Sequence, residues 1–146
     1  MIRFVAPTFA VVAISGLLTG CVSGEKTMAD KSMQPCGYKP NCVSTQDERQ
    51  KYTLSPFLLS SESDIESIKT AALTLPGAKL AEQEEDYLRI ECTSRFLRFV
   101  DDLELRIDQG KLIVRSQSRL GYSDFGVNRA RADALRAALA NKGLLK

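Results

Sequence analysis

Apolar residues along the second half of the chain change period twice, and each change marks an element. Ile65, Ile68, Ala72 and Leu75 lie three or four residues apart, which predicts an amphipathic helix over residues 64–75. Ser63-Asp64-Ile65-Glu66 before it reads as a capping box in which Ser63 and Glu66 satisfy each other's free backbone donors, and Pro76-Gly77 ends it. From Leu88 the period falls to two. Leu88, Ile90 and Cys92 alternate with Arg89 and Glu91 as in a half-buried strand, and Thr93-Ser94-Arg95 turns the chain. Leu97, Phe99, Asp101, Leu103, Leu105 and Ile107 then share one face of a long strand; Gln109-Gly110 supplies a hairpin turn. The returning strand carries Leu112, Val114, Ser116 and Ser118 on one face, with Ile113, Arg115, Gln117 and Arg119 on the other. After the Gly121–Gly126 reversal, Ala130, Ala134, Leu135, Ala138 and Leu139 form the stripe of a second helix from about Val127 to Asn141. Asp124 is placed to cap it, Arg129, Asp133 and Arg136 form its solvated face, and Asn141-Lys142-Gly143 stops it.

The two-residue turn sets the hairpin register. Ile107 faces Leu112, Leu105 faces Val114, Leu103 faces Ser116 and Asp101 faces Ser118 on the apolar side. Glu104 faces Arg115, with Asp102 diagonal to it, on the side expected to meet water, where such a pair contributes a few tenths of a kcal/mol. Asp101 is out of keeping with its face. An unpaired carboxylate among apolar neighbours costs several kcal/mol or takes up a proton. It therefore needs a partner from Ser116, Ser118, Arg119, Tyr122, Asn128 or Arg129, unless a β-bulge at Asp101-Asp102 turns it outward. Leu54 to Leu58, interrupted by Pro56, reads as an edge strand or an extended lead-in. The sum is an α+β fold: an antiparallel sheet of about four strands with two helices packed on its apolar face.

The first third of the chain reads differently. Arg3 precedes a mostly apolar run from Phe4 to Leu18, too short for a bilayer span of roughly 20 residues but suited to a signal peptide. Leu18-Thr19-Gly20-Cys21 resembles the lipobox of bacterial lipoproteins. That resemblance implies cleavage of residues 1–20 and acylation of Cys21, against an ordinary signal peptide with a coincidental cysteine. Several acyl chains on one cysteine make a lasting anchor. Val22-Ser23 after it, rather than aspartate, resembles the pattern sent to the outer membrane, facing the periplasm of a Gram-negative bacterium. Polar residues 21–35 read as a flexible tether and residues 36–146 as one globular domain. Ser23-Gly24-Glu25-Lys26 matches an S-x-x-K pattern by chance, being in that tether.

Composition narrows the chemistry. Among 146 residues, 44% are hydrophobic and 26% charged, as in a globular protein, and a net charge of +2 gives no case for nucleic acid. With no histidine the usual general base and metal ligand are missing. Acid–base chemistry would fall to Asp101 with Asp102 or Asp124, and adjacent strand residues point to opposite faces. Export puts Cys36, Cys42 and Cys92 in an oxidising compartment. The short Cys36–Cys42 loop, with Gly37 and Pro40, favours that bridge; Cys42–Cys92 and no bridge are the alternatives. Three cysteines without histidine or a close pair argue against zinc, and no metal or cofactor is expected.

Three spaced motifs carry a family resemblance. Pro40-Asn41-Cys42-Val43-Ser44-Thr45, Phe99-Val100-Asp101-Asp102-Leu103-Glu104, and the run from Arg115 to Arg129 with its Gly121-Tyr122-Ser123-Asp124-Phe125-Gly126 centre resemble the bacterial and plastid family known as domain of unknown function 1499. The resemblance covers about residues 36–142. It implies the domain boundary and offers no mechanism. Cys36, six residues before Cys42, also fits the family's spacing, whereas Cys92 does not. The expected role is a lipid-anchored envelope domain, non-enzymatic, with the membrane, an anionic small molecule or lipid headgroup, or an envelope protein as partner. Its candidate site is Asp101, Ser118, Arg119, Tyr122, Asp124, Asn128 and Arg129, at a helix N-terminus flanked by Arg119, Arg129 and Arg131. The competing reading is a structural clasp between sheet and helix, with Asp101 or Asp124 neutralising those arginines, and a carboxylate enzyme or a purely structural envelope component are the further alternatives.

Overall fold

The computed structural model describes residues 28–146. The signal peptide, Cys21 and the Ser23–Lys26 match lie outside the described residues. In chain order the elements are β1 (Cys42–Ser44), β2 (Phe57–Leu58), α1 (Ile65–Ala72), β3 (Ala78–Gln83), β4 (Tyr87–Thr93), β5 (Val100–Asp108), β6 (Lys111–Ser118) and α2 (Val127–Asn141). The strands make one antiparallel sheet in the order β1-β6-β5-β4-β3, with β2 also paired to β6. This is an α+β fold with two helices. The sheet has six strands instead of the four expected, because β1 and β3 join it.

The β5–β6 hairpin is the centre. Its register pairs Asp101 with Ser118, Leu103 with Ser116, Leu105 with Val114 and Ile107 with Leu112, and it runs without a bulge through Asp101 and Asp102. Gln109 and Gly110 have φ of 47° and 74°, the left-handed values that a two-residue hairpin turn needs. β1 is only three residues long, and β3 alternates in burial but puts Glu82 on its half-buried face and Ala81 on its exposed one, so neither shows a readable apolar alternation.

Both helices pack on the face made by Leu88, Ile90, Leu103, Leu105, Leu112 and Val114, against Ile68 and Ala71 of α1 and Ala132, Leu135 and Leu139 of α2. Helix α1 starts one residue later than expected and ends at Ala72. Its cap is Asp64, which accepts from Ser67 N while Ser67 Oγ accepts from Asp64 N. Ser63, the expected cap, donates instead to Leu144 O. On α2, Leu135 and Leu139 lie in the core and Ala138 packs against it, as expected, whereas Ala130 and Ala134 are exposed and Ala132 is buried in their place. Arg136, expected on a solvated ion-paired face, lies over the Phe57 ring at 3.6 Å and donates to the carbonyls of Ser55 and Pro56.

Two segments cover what would otherwise be open surface. Residues 28–35, expected in a tether, lie on the sheet face opposite the helices: Lys31 N donates to Glu104 Oε1, Asp30 pairs with Arg106 at 2.7 Å, and Ser32 is fully buried. The contacts are polar, so hydrophobic periodicity could not have revealed this strap. Residues 36–54 close on a second small core of Cys36, Cys42 and Tyr52, with Cys36 and Cys42 joined in a disulfide. Asp47 organises it. Its carboxylate accepts from Cys36 N and from Arg49 N, Nε and Nη2, and the Arg49 bonds hold its pKa down at about 2. Cys92 is a free cysteine buried in the main core, where burial pushes its thiol pKa up.

Candidate functional site

Strand alternation sends odd-numbered residues of β5 towards the helices and even-numbered ones towards the strap. The two faces each bury a set of charges, and the two sets are built differently.

On the helix face Asp101 points inward, as its place beside Leu103 requires. Its partner is Arg131 of α2, at 2.7 Å, with the two side chains 9% and 11% exposed. Arg131 also donates to Asn128 Oδ1 and Ser116 Oγ. Asn128 is fully buried. Its Oδ1 also accepts from Ser116 Oγ at 2.7 Å, and its two amide hydrogens serve Asn41 O, Ser118 Oγ and Asp124 Oδ2. Asp124 accepts from the backbone N–H groups of Gly126 and Asn128, so its own carboxylate occupies the start of α2. Every member of this network has its partners inside the domain.

The seven candidate residues are therefore not one site. Asp101, Ser118, Asp124 and Asn128 belong to the network. Arg129 reaches away to the carbonyls of Lys51 and Thr53, and Tyr122 lies on the surface, 66% exposed. Arg119 is on the opposite face. Arg131, the residue that answers Asp101, lies outside the six partners first expected for it and enters only through the clasp reading. It follows Asn128 by three positions and so shares its helix face, a relation that correct phasing of α2 would have exposed.

On the strap face the charges surround a cavity of about 280 Å³, lined by Lys31, Arg89, Asp102, Glu104, Arg115 and Arg119, with Met28 and Gln117 among the other walls. Arg119 grips both oxygens of Asp102 at 2.7 and 2.8 Å and also holds Glu91 at 2.7 Å; the Asp102 bonds raise its pKa. Arg89 lies 3.2 Å from Glu82 and 3.6 Å from both Glu91 and Asp102. Glu104 accepts from Lys31 N, from Tyr87 Oη at 3.2 Å and from Arg115 Nη1 at 3.3 Å. Burial, reinforced by the charge of Glu104, pushes the Tyr87 pKa up and keeps it a donor.

Arg115 breaks this balance. Its side chain is 5% exposed, it makes one hydrogen bond, to Glu104, and its Nε is buried with no partner among the described residues. A guanidinium has five N–H donors in a rigid fork matched to carboxylate and phosphate oxygens. A buried guanidinium with donors left over at a cavity wall is suited to receiving an oxyanion, since an unmet buried donor is costly. The Glu104–Arg115 pairing was legible in the sequence, but alternation tells only which face a residue takes and not whether that face is covered.

Among the described residues no group of three histidine, cysteine, aspartate or glutamate side chains is placed to hold a metal ion, and no helix is long and apolar enough to cross a membrane. A family model described as a protein of unknown function, DUF1499, matches residues 32–139. No curated protein and no solved structure matches the chain.

Proposed function

The chain belongs to the DUF1499 family, and from the open cavity of its sheet we propose that it is a lipid-anchored, non-enzymatic envelope domain that binds an anionic group through Arg115, Arg119 and Arg89. The anchor is the acylated Cys21, and the domain faces the periplasm from the outer membrane. The observation that carries the binding reading is Arg115, a buried cation at a cavity wall with one partner and an unmet Nε among the described residues. Among the six charged lining side chains four are cationic and two anionic, so the cavity favours a negatively charged occupant. A phosphate, free or as a lipid headgroup, supplies oxygens that match the fork.

The second reading is a carboxylate enzyme, and Asp102 and Glu104 do line the same cavity. Both Asp102 oxygens accept from Arg119, and both Glu104 oxygens accept from other donors. Carboxylates held in this way are poor proton carriers, which favours binding over acid–base catalysis.

The test is thermal unfolding of the full chain in rising inorganic phosphate against chloride of equal ionic strength. A site gives a saturable rise in Tm, since a ligand at tenfold its Kd stabilises by about 1.4 kcal/mol. Arg119→Ala, a change at the partly exposed rim, should weaken that effect about tenfold, and Arg115→Gln should remove it. A soluble short-chain phosphatidylglycerol, kept monomeric, separates a headgroup site from one for free phosphate. Equal, unsaturating responses in all three proteins would sink the reading.

A further inference from the structure

Two loops at one end of the sheet expose apolar side chains to an extent that folding alone does not explain. They are residues 94–99, between β4 and β5, and residues 119–126, between β6 and α2. Phe96 is 88% exposed and Phe125 95%, and Leu97, Phe99, Leu120 and Val127 are each about half exposed or more. All six line one open groove of about 330 Å³ between the loops. Scattered exposed apolar residues are ordinary, whereas a contiguous set on two facing loops marks a contact surface. The tips are also strained: Arg98 and Phe125 hold φ of 56° and 52°. A bulky residue seldom takes those values, and strain of this kind gathers where a segment does work.

We infer that this loop end docks onto a lipid bilayer, with Phe96, Phe125 and their neighbours entering the headgroup–acyl boundary and Arg95 and Arg98 meeting anionic headgroups. The inference rests on the anchored reading above. Three observations select a bilayer as the occupant. The first is where the described chain begins. Met28 lines the charged cavity that Gln117 and Arg119 also line, so the described chain begins at a cavity whose wall runs on, through Arg119, into Leu120 and the apolar loop. Cys21 stands seven residues earlier, a span of at most about 25 Å when fully extended. An acyl anchor at Cys21 therefore keeps the cavity, and the loop end that adjoins it, within reach of the membrane. The second is composition. The loops combine exposed aromatic and aliphatic residues with exposed Arg95 and Arg98, the mixture that lies in an anionic interface, and the exposed phenol of Tyr122 suits headgroup depth. The third is charge. A symmetric contact with a second copy would bring the same patch, with Arg95 and Arg98, against itself.

The anchor and the loops then act as two membrane attachments on one rigid domain. They fix which way it faces, and they place the Arg115 cavity near the headgroup layer, because Arg119 of the cavity and Leu120 of the loop are adjacent residues.

The chain has no tryptophan, so one introduced indole reports its own surroundings. The experiment places Phe125→Trp or Leu58→Trp in the full chain, reconstituted in phosphatidylethanolamine–phosphatidylglycerol vesicles containing brominated acyl chains. Leu58 is exposed and pairs with Lys111 at the far end of β6. The indole at 125 should shift to the blue and be quenched at least threefold more strongly than the one at 58. Phe96→Trp replaces Phe125→Trp if the latter misfolds. Equal quenching at the two ends overturns the inference. Emission from position 125 already shifted to the blue before lipid is added overturns it too, since a protein segment then covers the patch. Mass spectrometry of Cys21 is read separately. If Cys21 carries no acyl group, the anchored reading fails by itself, and the same variants added to preformed vesicles decide docking: selective quenching at 125 upholds it, and none overturns it.

Discussion

The two faces of the sheet both bury charge, Asp101 towards the helices and Arg89, Asp102, Glu104 and Arg115 towards the strap, but to different ends. Towards the helices, Asp101, Arg131, Asn128, Ser116 and Asp124 satisfy one another, with the amide of Asn128 at the centre. Towards the strap, Glu104 and Asp102 are satisfied while Arg115, among the described residues, is not. A buried polar network that closes on itself specifies how a helix seats on a sheet. One that stays open at a cavity retains binding capacity at a cost in stability. Arginine alone does not mark a site; what distinguishes the two faces is the buried Nε of Arg115, unmet among the described residues.

The largest effect should come from breaking the closed face. Asp101→Ala leaves Arg131 nearly buried without its carboxylate, and removing one partner of such a pair costs about 3–5 kcal/mol. Denaturant unfolding should show this as a shifted midpoint, and phosphate should not restore it. Replacing Asp101 and Arg131 together by leucine should recover much of the loss, because two buried charges leave at once. A cost below about 1 kcal/mol for Asp101→Ala would mean that Arg131 finds water, and that the helix face is not closed after all.

The open face should answer differently. Glu104→Gln keeps the shape but takes the carboxylate from Arg115, at a cost of about 2–3 kcal/mol in chloride. Here a dissolved anion can replace the missing charge, so phosphate should recover part of the stability and bind about tenfold more tightly than to the parent chain, a gain of about 1.4 kcal/mol. If chloride and phosphate act alike on Glu104→Gln, the contrast between the faces fails.

This contrast was half visible in the sequence. Alternation through Leu103, Leu105 and Ile107 and the Gln109-Gly110 turn fix the hairpin register, and with it the inward aim of Asp101. The partner was hidden because the part of α2 that meets the end of the sheet is polar. Asn128 and Arg131 do the contacting, so a stripe that is right at Leu135, Ala138 and Leu139 misplaces the first two turns by running through Ala130 and Ala134. The cavity was hidden for a different reason. Glu104 and Arg115 look like an ordinary exposed pair until the strap of residues 28–35 covers them, and that strap is held by hydrogen bonds such as Lys31 N to Glu104 that leave no periodic mark. The exposure of Phe96 and Phe125 was equally out of reach, since neither lies inside a regular element.

A third ionic cluster lies in neither face and gives a measure for both. Asp47 accepts four hydrogen bonds from Cys36 and Arg49, and its pKa is about 2 against an ordinary value near 3.9. A carboxylate depressed in the folded state adds stability that is complete above the unfolded value and is lost as pH falls through the folded one. Asp47→Asn resembles the protonated acid at every pH. Its stability deficit relative to the parent chain should therefore be constant above about pH 5 and shrink between about pH 4 and 2. The electrostatic part of that deficit should be only about 1 kcal/mol, the smallest of the three effects, because Arg49 is half exposed and water screens the pair. The disulfide beside it already restrains the loop that Asp47 organises. A deficit that stays the same from about pH 5 down to about pH 2 would show that Asp47 acts by shape alone. A deficit as large as that of Asp101→Ala would show that a half-exposed partner can matter as much as a buried one, and burial would then not be what separates the two faces.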